Sequence, residues 1–253
     1  MRILRIQQAE GPAYAQLEDD QLTLWSGAPW LGGTPTGRRI AADGVRSLVP
    51  VEPSKIVCIG RNYAAHAKEL GNDVPSEPLL FLKPASSLLA PGAAIVLPAM
   101  SQRVEHEAEI GVVIGERLKD VTPARAIDAI FGITCVNDVT ARDLQRKDVQ
   151  FTRAKSFDTF CPVGPWIETD VELDALEVRG HVNGELRQHG HVNQMVFSIA
   201  TMISFISRVM TLEPGDLIAT GTPEGVGPLF AGDTVEITVS GVGTLRNSVI
   251  AGA

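Results

Sequence analysis

Apolar and polar residues alternate in short runs along most of the chain, and this pattern predicts a protein made mainly of β-strands. From Lys55 onward, aliphatic or β-branched runs end in Gly, Pro, Asn or Asp, as in KIVCIG, PLLFLK, AAIVLP, AEIGVVIG, FGITCVND and DLIATG. Strands do not alternate regularly with helices. The expected fold class is therefore α+β and β-rich, with mixed strands, rather than a doubly wound sheet.

Two hairpins and two helices are also predicted. Asn183 and Gly184 separate two strand patterns and favour a type I′ turn, and DTVEITVSGVGTLRNSVI predicts a final hairpin. Thr122 is expected to cap a helix that begins at Pro123 and ends before Gly132. A second helix at about 195–210 is apolar on nearly all sides, so it should be buried in the body or at an interface.

The first fifty residues differ from the rest. MRILRIQ, PAYAQLE and QLTLW predict short strands with polar turns, and a Gly/Pro-rich loop, SGAPWLGGTPTG, follows them. We interpret residues 1–50 as a small N-terminal β-rich appendage and residues 51–253 as the main domain.

Composition and charge exclude several classes of function. The formal net charge is −8 and there is no dense Lys/Arg run, which argues against a nucleic-acid partner. No apolar stretch is long enough to span a bilayer, and the N-terminus lacks the apolar core of a signal peptide, so we expect a cytoplasmic protein without a membrane partner. Cys58, Cys135 and Cys161 lie far apart in apolar contexts, which predicts buried thiols without disulfides.

An acidic cluster is the most informative feature. In VEHEAEIGVVIG, a single strand would place Glu105, Glu107 and Glu109 on one face, where a divalent cation would relieve their mutual repulsion. The alternative is a solvated strand face near a sheet edge. Further on, Asp138 ends an apolar strand, as a metal ligand or as a cap for the following turn.

A histidine and a glutamate follow the strand KIVCIG. On a helix, His66 and Glu69 would be i,i+3 neighbours, and the carboxylate would orient the imidazole for proton transfer. The alternative is an exposed helical ion pair. The turn before the helix offers Arg61 as an anion-binding group.

Three further segments are suggestive, although such features are more often structural. Lys155 lies in a segment with little reason to be a helix surface. A Gly/Pro-rich turn offers backbone amides and the hydroxyls of Thr220 and Thr222, which could hold a carboxylate. Gln194 precedes the apolar helix and could point into a cleft. The remaining histidines are interpreted as surface or structural residues: His106, His181, His189 and His191.

These segments together resemble the fumarylacetoacetate hydrolase family. The motifs occur in the order GRNYAAHAKELG, FLKPASSL, VEHEAEIGVVIG, CVNDVTARDLQ, RAKSFDTFCPVGP, VNGELRQ and GDLIATGTPEGVGP. The resemblance covers about 55–250 and implies the mixed β-strand roll of the family. The N-terminal fifty residues look like the short lead of the smaller family members.

The resemblance also implies roles for particular residues. It implies Mg²⁺ or Mn²⁺, with Ca²⁺ as a further candidate, on Glu107, Glu109 and Asp138, and it leaves Glu105 outside the ligand set. It implies a catalytic dyad of His66 and Glu69. Lys155 would be the catalytic lysine. The substrate-binding residues implied are Arg61, Tyr63, Arg142, Gln194, Gly221 and Thr222.

The resemblance implies a short 2-oxo or diketo acid as substrate and an enolate stabilised by the metal. Hydrolysis of an acylpyruvate, isomerisation of 2-hydroxyhepta-2,4-diene-1,7-dioate, and decarboxylation or tautomerisation of oxaloacetate all remain open. A relative that binds a 2-oxo acid without turnover is the alternative from a different class. Relatives are typically homodimers, so a homodimer is expected.

Overall fold

The computed structural model of the chain describes residues 1–252, and most of its regular structure is strand. The strands are β1 (Arg2–Gln8), β2 (Gly11–Glu18), β3 (Gln21–Trp25), β4 (Pro35–Ala41), β5 (Ser47–Leu48), β6 (Ile56–Gly60), β7 (Leu79–Lys83), β8 (Leu88–Leu89), β9 (Ala94–Leu97), β10 (Val104–His106), β11 (Ala108–Ile114), β12 (Ile130–Asn137), β13 (Thr140–Ala141), β14 (Cys161–Glu168), β15 (Glu177–Val182), β16 (Glu185–His191), β17 (Leu217–Ala219), β18 (Gly227–Pro228), β19 (Thr234–Val239) and β20 (Gly243–Ala251).

The helices are short. The α-helices are α1 (Ala64–Glu69), α2 (Pro123–Asp128), α3 (Arg142–Lys147), α4 (Thr152–Lys155) and α5 (Ile199–Val209). Single 3-10 turns occupy Pro29–Leu31, Ala85–Ser87, Leu173–Ala175 and Val192–Gln194. The β-rich α+β class expected from the sequence is therefore confirmed.

Three sheets organise the strands. The largest runs in the order β4-β3-β2-β1-β14-β12-β11-β17-β6-β7, with β5 paired to β1 and β8 to β14. A small sheet runs β13-β10-β18, and a five-stranded sheet runs β16-β15-β19-β20-β9. Most pairs are antiparallel, but β6 with β17, β8 with β14 and β9 with β20 are parallel, so the sheets are mixed.

The N-terminal strands belong to the largest sheet. Strand β1 pairs with β14, placing Arg2 opposite Glu168 and Ile3 opposite Ile167. The sequence pattern does not predict strand β4 (Pro35–Ala41). This strand lies at the sheet edge and six of its seven residues are exposed, so it needs no apolar alternation. The division of the chain at residue 50 stays a prediction.

Strand β11 is buried on both faces, which explains its continuous apolar pattern. Val112 packs in one core cluster with residues of the five-stranded sheet and with Met202 of α5. Val113 points to the opposite face and packs in a second cluster with Ile3 and Val163. Glu109, the second residue of β11, therefore stands on a strand that packing holds from both sides.

The predicted turns and helices are largely confirmed. Asn183 and Gly184 have φ of 52° and 80°, as a type I′ turn requires. Thr122 accepts a hydrogen bond from the Arg125 amide at the start of α2. Helix α5 is shorter than predicted, because Ser198 accepts from the amide of Thr201 and starts the helix there.

The cysteines are buried free thiols, as predicted: Cys58, Cys135 and Cys161. Among residues 1–252, no helix has the length and apolar character needed to cross a membrane.

Candidate active site

Antiparallel pairing of β11 with β12 brings the three predicted metal ligands together. Ala108 lies opposite Asn137, so Glu107 just before β11 meets Asp138 just after β12. The Asp138 amide donates to the Glu107 carbonyl over 2.9 Å. Glu109 is the second residue of β11. One carboxylate oxygen from each of Glu107, Glu109 and Asp138 lies within 4.8 Å of the others, and we call these three residues the cavity triad.

The expectation of one continuous strand from Glu105 to Glu109 is wrong. The chain leaves the small sheet after β10 and joins the largest sheet at β11, and Glu107 lies between them. Asn137 holds this break, since its side-chain oxygen accepts from the Glu107 amide over 3.0 Å. Glu105 turns away from the triad and pairs with Arg142 at 2.6 Å.

Burial and hydrogen bonding exclude the two alternatives for the acidic residues, a solvated strand face and a helix cap. Glu105, Glu107 and Glu109 are 1%, 4% and 2% exposed, so they do not form a solvated strand face. The side chain of Asp138 accepts from two lysines rather than from a helical amide, so it is not a cap. A buried carboxylate needs a compensating positive charge.

Lysine and arginine supply that charge to two of the three carboxylates. The Lys155 ammonium lies 2.6 Å from Glu107 and 2.7 Å from Asp138. The Lys83 ammonium lies 2.6 Å from the other oxygen of Asp138. Arg142 donates to Glu107 as well as to Glu105. Glu109, in contrast, forms no ion pair with any residue in the described part of the chain, and accepts only the Gly221 amide, at 2.9 Å.

The pKa directions follow from this asymmetry. Burial by itself would raise the pKa of Glu107, but Lys155 and Arg142 lower it below its ordinary value. Burial raises the pKa of Glu109 well above its ordinary range, and Asp138 and Glu107 raise it further. Glu109 is thus the member of the triad that most needs a cation.

The His66–Glu69 pair stands on α1. His66 Nδ1 lies 3.2 Å from a Glu69 carboxylate oxygen, and the other Glu69 oxygen accepts from the Gly225 amide at 3.0 Å. The His66 side chain is 6% exposed and that of Glu69 is 32% exposed, so this is not an exposed helical ion pair. The ring is held in one orientation by a carboxylate that the backbone also holds.

One cavity of about 190 Å³ connects these groups. The predicted site residues that line it are Arg61, His66, Glu107, Glu109, Asp138, Arg142, Lys155 and Thr222. Gly221 contributes its amide to Glu109. It needs to be glycine, because its φ is 98° and an added Cβ would lie 2.7 Å from the Asn62 Cβ.

Three predicted substrate-binding residues are placed differently from the expectation. Gln194 is exposed, does not line the cavity, and uses its oxygen to accept from the His191 amide at 2.7 Å. Tyr63 is buried beside the cavity, and its hydroxyl has no partner among residues 1–252. Arg142 lines the cavity but is 1% exposed and committed to Glu105, Glu107 and Gln145. Their roles as substrate ligands stay predictions.

Sequence reasoning missed Lys83, Arg146 and Phe151. The signal for Lys83 was present, since a lysine closes the apolar strand β7 just before Pro84 and must find a buried anion. Arg146 and Phe151 carry no such signal, because α3 and the loop after it meet the cavity only in the folded chain.

Fold and site together define a β-rich scaffold with a cavity lined by both carboxylates and cationic side chains. The family description "Fumarylacetoacetate (FAA) hydrolase C-terminal" matches residues 55–250, and the description "Rv2993c-like, N-terminal" matches residues 1–50. The chain belongs to the fumarylacetoacetate hydrolase family and is an enzyme of that family.

Three relatives show the range of the likeness. A Mycobacterium tuberculosis protein, Rv2993c, is 47% identical over 99% of this chain and 98% of its own. The mitochondrial oxaloacetate tautomerase of Mus musculus is 44% identical over 77% of this chain and 90% of its own. The crystal structure of 5-carboxymethyl-2-hydroxymuconate delta-isomerase from Mycobacterium smegmatis superimposes with a TM-score of 0.94, at 45% identity and with all of both chains covered.

Proposed function

We propose that the chain is a Mg²⁺- or Mn²⁺-dependent enzyme that moves a proton beside the 2-oxo group of a short dicarboxylic acid, as a tautomerase or isomerase. One observation carries the proposal: the cavity triad and an imidazole oriented by a carboxylate face the same small cavity. The two halves of the chemistry, charge stabilisation and proton transfer, are thus available to one bound molecule.

The donor set fits a hard divalent cation. All three ligands are carboxylates, they are buried, and Glu109 has no cationic partner in the described structure. Glu107, Glu109 and Asp138 would hold the ion, which would act as a Lewis acid on the oxygens of a 2-oxo acid and stabilise the negative charge of its enolate. Arg142 donates directly to Glu107 and is itself held by Glu105, so it orients the Glu107 carboxylate.

Lys155 acts as a cation and leaves the role of base to His66. Burial alone would lower the pKa of Lys155, but Asp138 and Glu107 raise it above its ordinary value, so the ammonium stays protonated. With His66 Nδ1 directed at Glu69, the second ring nitrogen takes the proton from the substrate carbon and returns it. Lys155 stabilises the charge that develops nearby.

Two arginines favour a substrate with more than one negative group. Arg61 and Arg146 line the cavity, and neither guanidinium has a hydrogen bond or ion pair to another residue within 1–252. A guanidinium without a protein partner is suited to a carboxylate of the ligand. Oxaloacetate and 5-carboxymethyl-2-hydroxymuconate, the compounds in the names of two relatives, both carry several carboxylates.

The experiment that tests the proposal is hydrogen exchange at carbon 3 of oxaloacetate, followed by NMR in D₂O with Mg²⁺. Exchange faster than with metal alone, without loss of CO₂, is expected of a tautomerase. His66→Ala should slow the exchange at least ~100-fold, which is the usual contribution of a general base. His181→Ala, on β15 and outside the cavity, is the matched control.

Each alternative has a distinct outcome. Release of CO₂ with the exchange would indicate a decarboxylase, and cleavage of acetylpyruvate in a parallel sample would indicate an acylpyruvate hydrolase. Absence of any enzyme-dependent reaction with either compound would contradict the proposal. Full exchange by His66→Ala would remove the dyad from the mechanism.

A further inference from the structure

A second cluster of metal-ligating side chains lies outside the cavity, on the hairpin of β15 and β16. Glu177 on β15 is directly opposite His191 on β16, and His189 is two residues before His191. Because side chains alternate along a strand, both histidines point to the same face, above Glu177. We call Glu177, His189 and His191 the hairpin trio.

The geometry of the hairpin trio suits one metal ion. His189 Nε2 lies 3.1 Å from one Glu177 oxygen and His191 Nδ1 lies 3.6 Å from the other. One ligand atom from each residue lies within 4.8 Å of the others. Ligands 2.0–2.2 Å from a tetrahedral ion would be about 3.3 to 3.6 Å apart, so small side-chain rotations are enough to close the site.

The chemistry of the donors selects a different metal from the cavity triad. Two imidazoles and one carboxylate form a set that Zn²⁺, Ni²⁺, Co²⁺ and Cu²⁺ bind well, whereas Mg²⁺ prefers oxygen alone. The two histidines are each 41% exposed, so the fourth position of a tetrahedral ion would be open to water. From these observations we propose that the hairpin trio binds a transition-metal ion of the Zn²⁺ type.

One neighbouring side chain, Arg179, competes with a metal ion for Glu177, but one oxygen of Glu177 stays available. Arg179 donates to the same Glu177 oxygen as His189, at 2.7 Å. The other oxygen of Glu177 faces only His191, so one carboxylate oxygen stays available while Arg179 orients the group. The pairing of β15 with β16 already sets Glu177 opposite His191, so little backbone order has to be acquired on binding.

The opposite face of β16 reaches the cavity. Gln188 is buried, and its side-chain nitrogen donates to the hydroxyl of Thr222, which lines the cavity. Gly190 packs closely on Pro223 and Tyr63, since an added Cβ would lie within 3.0 Å of both. A metal that ties β15 to β16 would therefore stabilise the edge strand that supports this side of the cavity.

The test is a titration of the EDTA-stripped full chain with Zn²⁺ in the presence of excess Mg²⁺, which is meant to occupy the cavity triad. Calorimetry gives the affinity, and Co²⁺ in place of Zn²⁺ gives a visible spectrum typical of nitrogen ligation. The variant is His189→Ala combined with His191→Ala. Both positions are on the outer face of the hairpin, so the variant should fold.

Two controls locate the ion. His181→Ala removes the other histidine of the hairpin, and Glu109→Gln removes the carboxylate of the cavity triad that has no ion pair among the described residues. We expect the wild type and both controls to bind one Zn²⁺ with the same affinity, and the double variant to bind at least ~10-fold more weakly and to lose the Co²⁺ spectrum. Equal binding by the double variant, loss of binding in Glu109→Gln, or a wild type that binds no Zn²⁺ under excess Mg²⁺ would each overturn the proposal.

Discussion

The cavity triad and the hairpin trio each gather three potential ligands within the same distance, but they differ in burial and in the origin of their charge balance. The triad is almost wholly buried and consists of three carboxylates, partly neutralised by two lysines and an arginine. The trio is partly exposed and balances one carboxylate with two imidazoles and Arg179.

The difference shows that a buried charged group needs a fixed partner, whereas an exposed one does not. Water screens the trio, so its pairs contribute little to stability and can be exchanged for other ligands. In the triad, each charge must be matched by a fixed partner or by an ion, because desolvation is costly. Glu109 has no cationic partner among the described residues, so its negative charge is the one that a bound cation would compensate.

The largest expected effect is metal removal. We expect EDTA to lower turnover by more than ~100-fold, because the cation supplies several kcal/mol of charge stabilisation, and excess Mg²⁺ to restore it. Exchange at carbon 3 of the substrate measures this. The double variant of the hairpin trio should respond to EDTA and Mg²⁺ like the wild type. Turnover that persists in EDTA would show that catalysis does not depend on the triad.

The second prediction compares a cationic side chain paired with the cavity triad and one paired with the hairpin trio. Lys83→Met leaves Asp138 with a single lysine, and loss of one partner of a buried pair should lower the free energy of unfolding by about 3 kcal/mol. Arg179→Met should leave it unchanged within error, since its pair with Glu177 is solvent-exposed. Urea unfolding measures both. Equal effects would mean that burial does not separate the two clusters.

The smallest effect is expected at the carboxylates themselves. In EDTA, Glu109→Gln should raise the free energy of unfolding by about 1 kcal/mol, because a neutral amide replaces a buried group without a cationic partner. The same variant should bind Mg²⁺ more weakly. Glu177→Gln is the exposed counterpart and should change neither quantity. Destabilisation by Glu109→Gln would show that the carboxylate is compensated in the metal-free fold.

The same contrast explains how far the sequence could predict the structure. Short apolar runs predicted most strands, and Asn183 with Gly184 predicted its turn, because these depend on local periodicity and backbone freedom. The apolar pattern did not predict strand β4, since an exposed edge strand has no buried face. For the site, the family motifs predicted Glu107, Glu109 and Asp138 as metal ligands, and the structure brings their carboxylates together.

The sequence by itself determined the β-rich class, the acidic motif and the His66–Glu69 spacing, since each depends on residues close together in the chain. Only the tertiary structure decided the charge balance of the cavity. It placed Lys83 against Asp138 across 55 residues and Arg142 against Glu107 across 35, and it turned Gln194 away. Coulomb and desolvation energies depend on distance in space and on burial, which strand pairing sets and a local pattern does not contain.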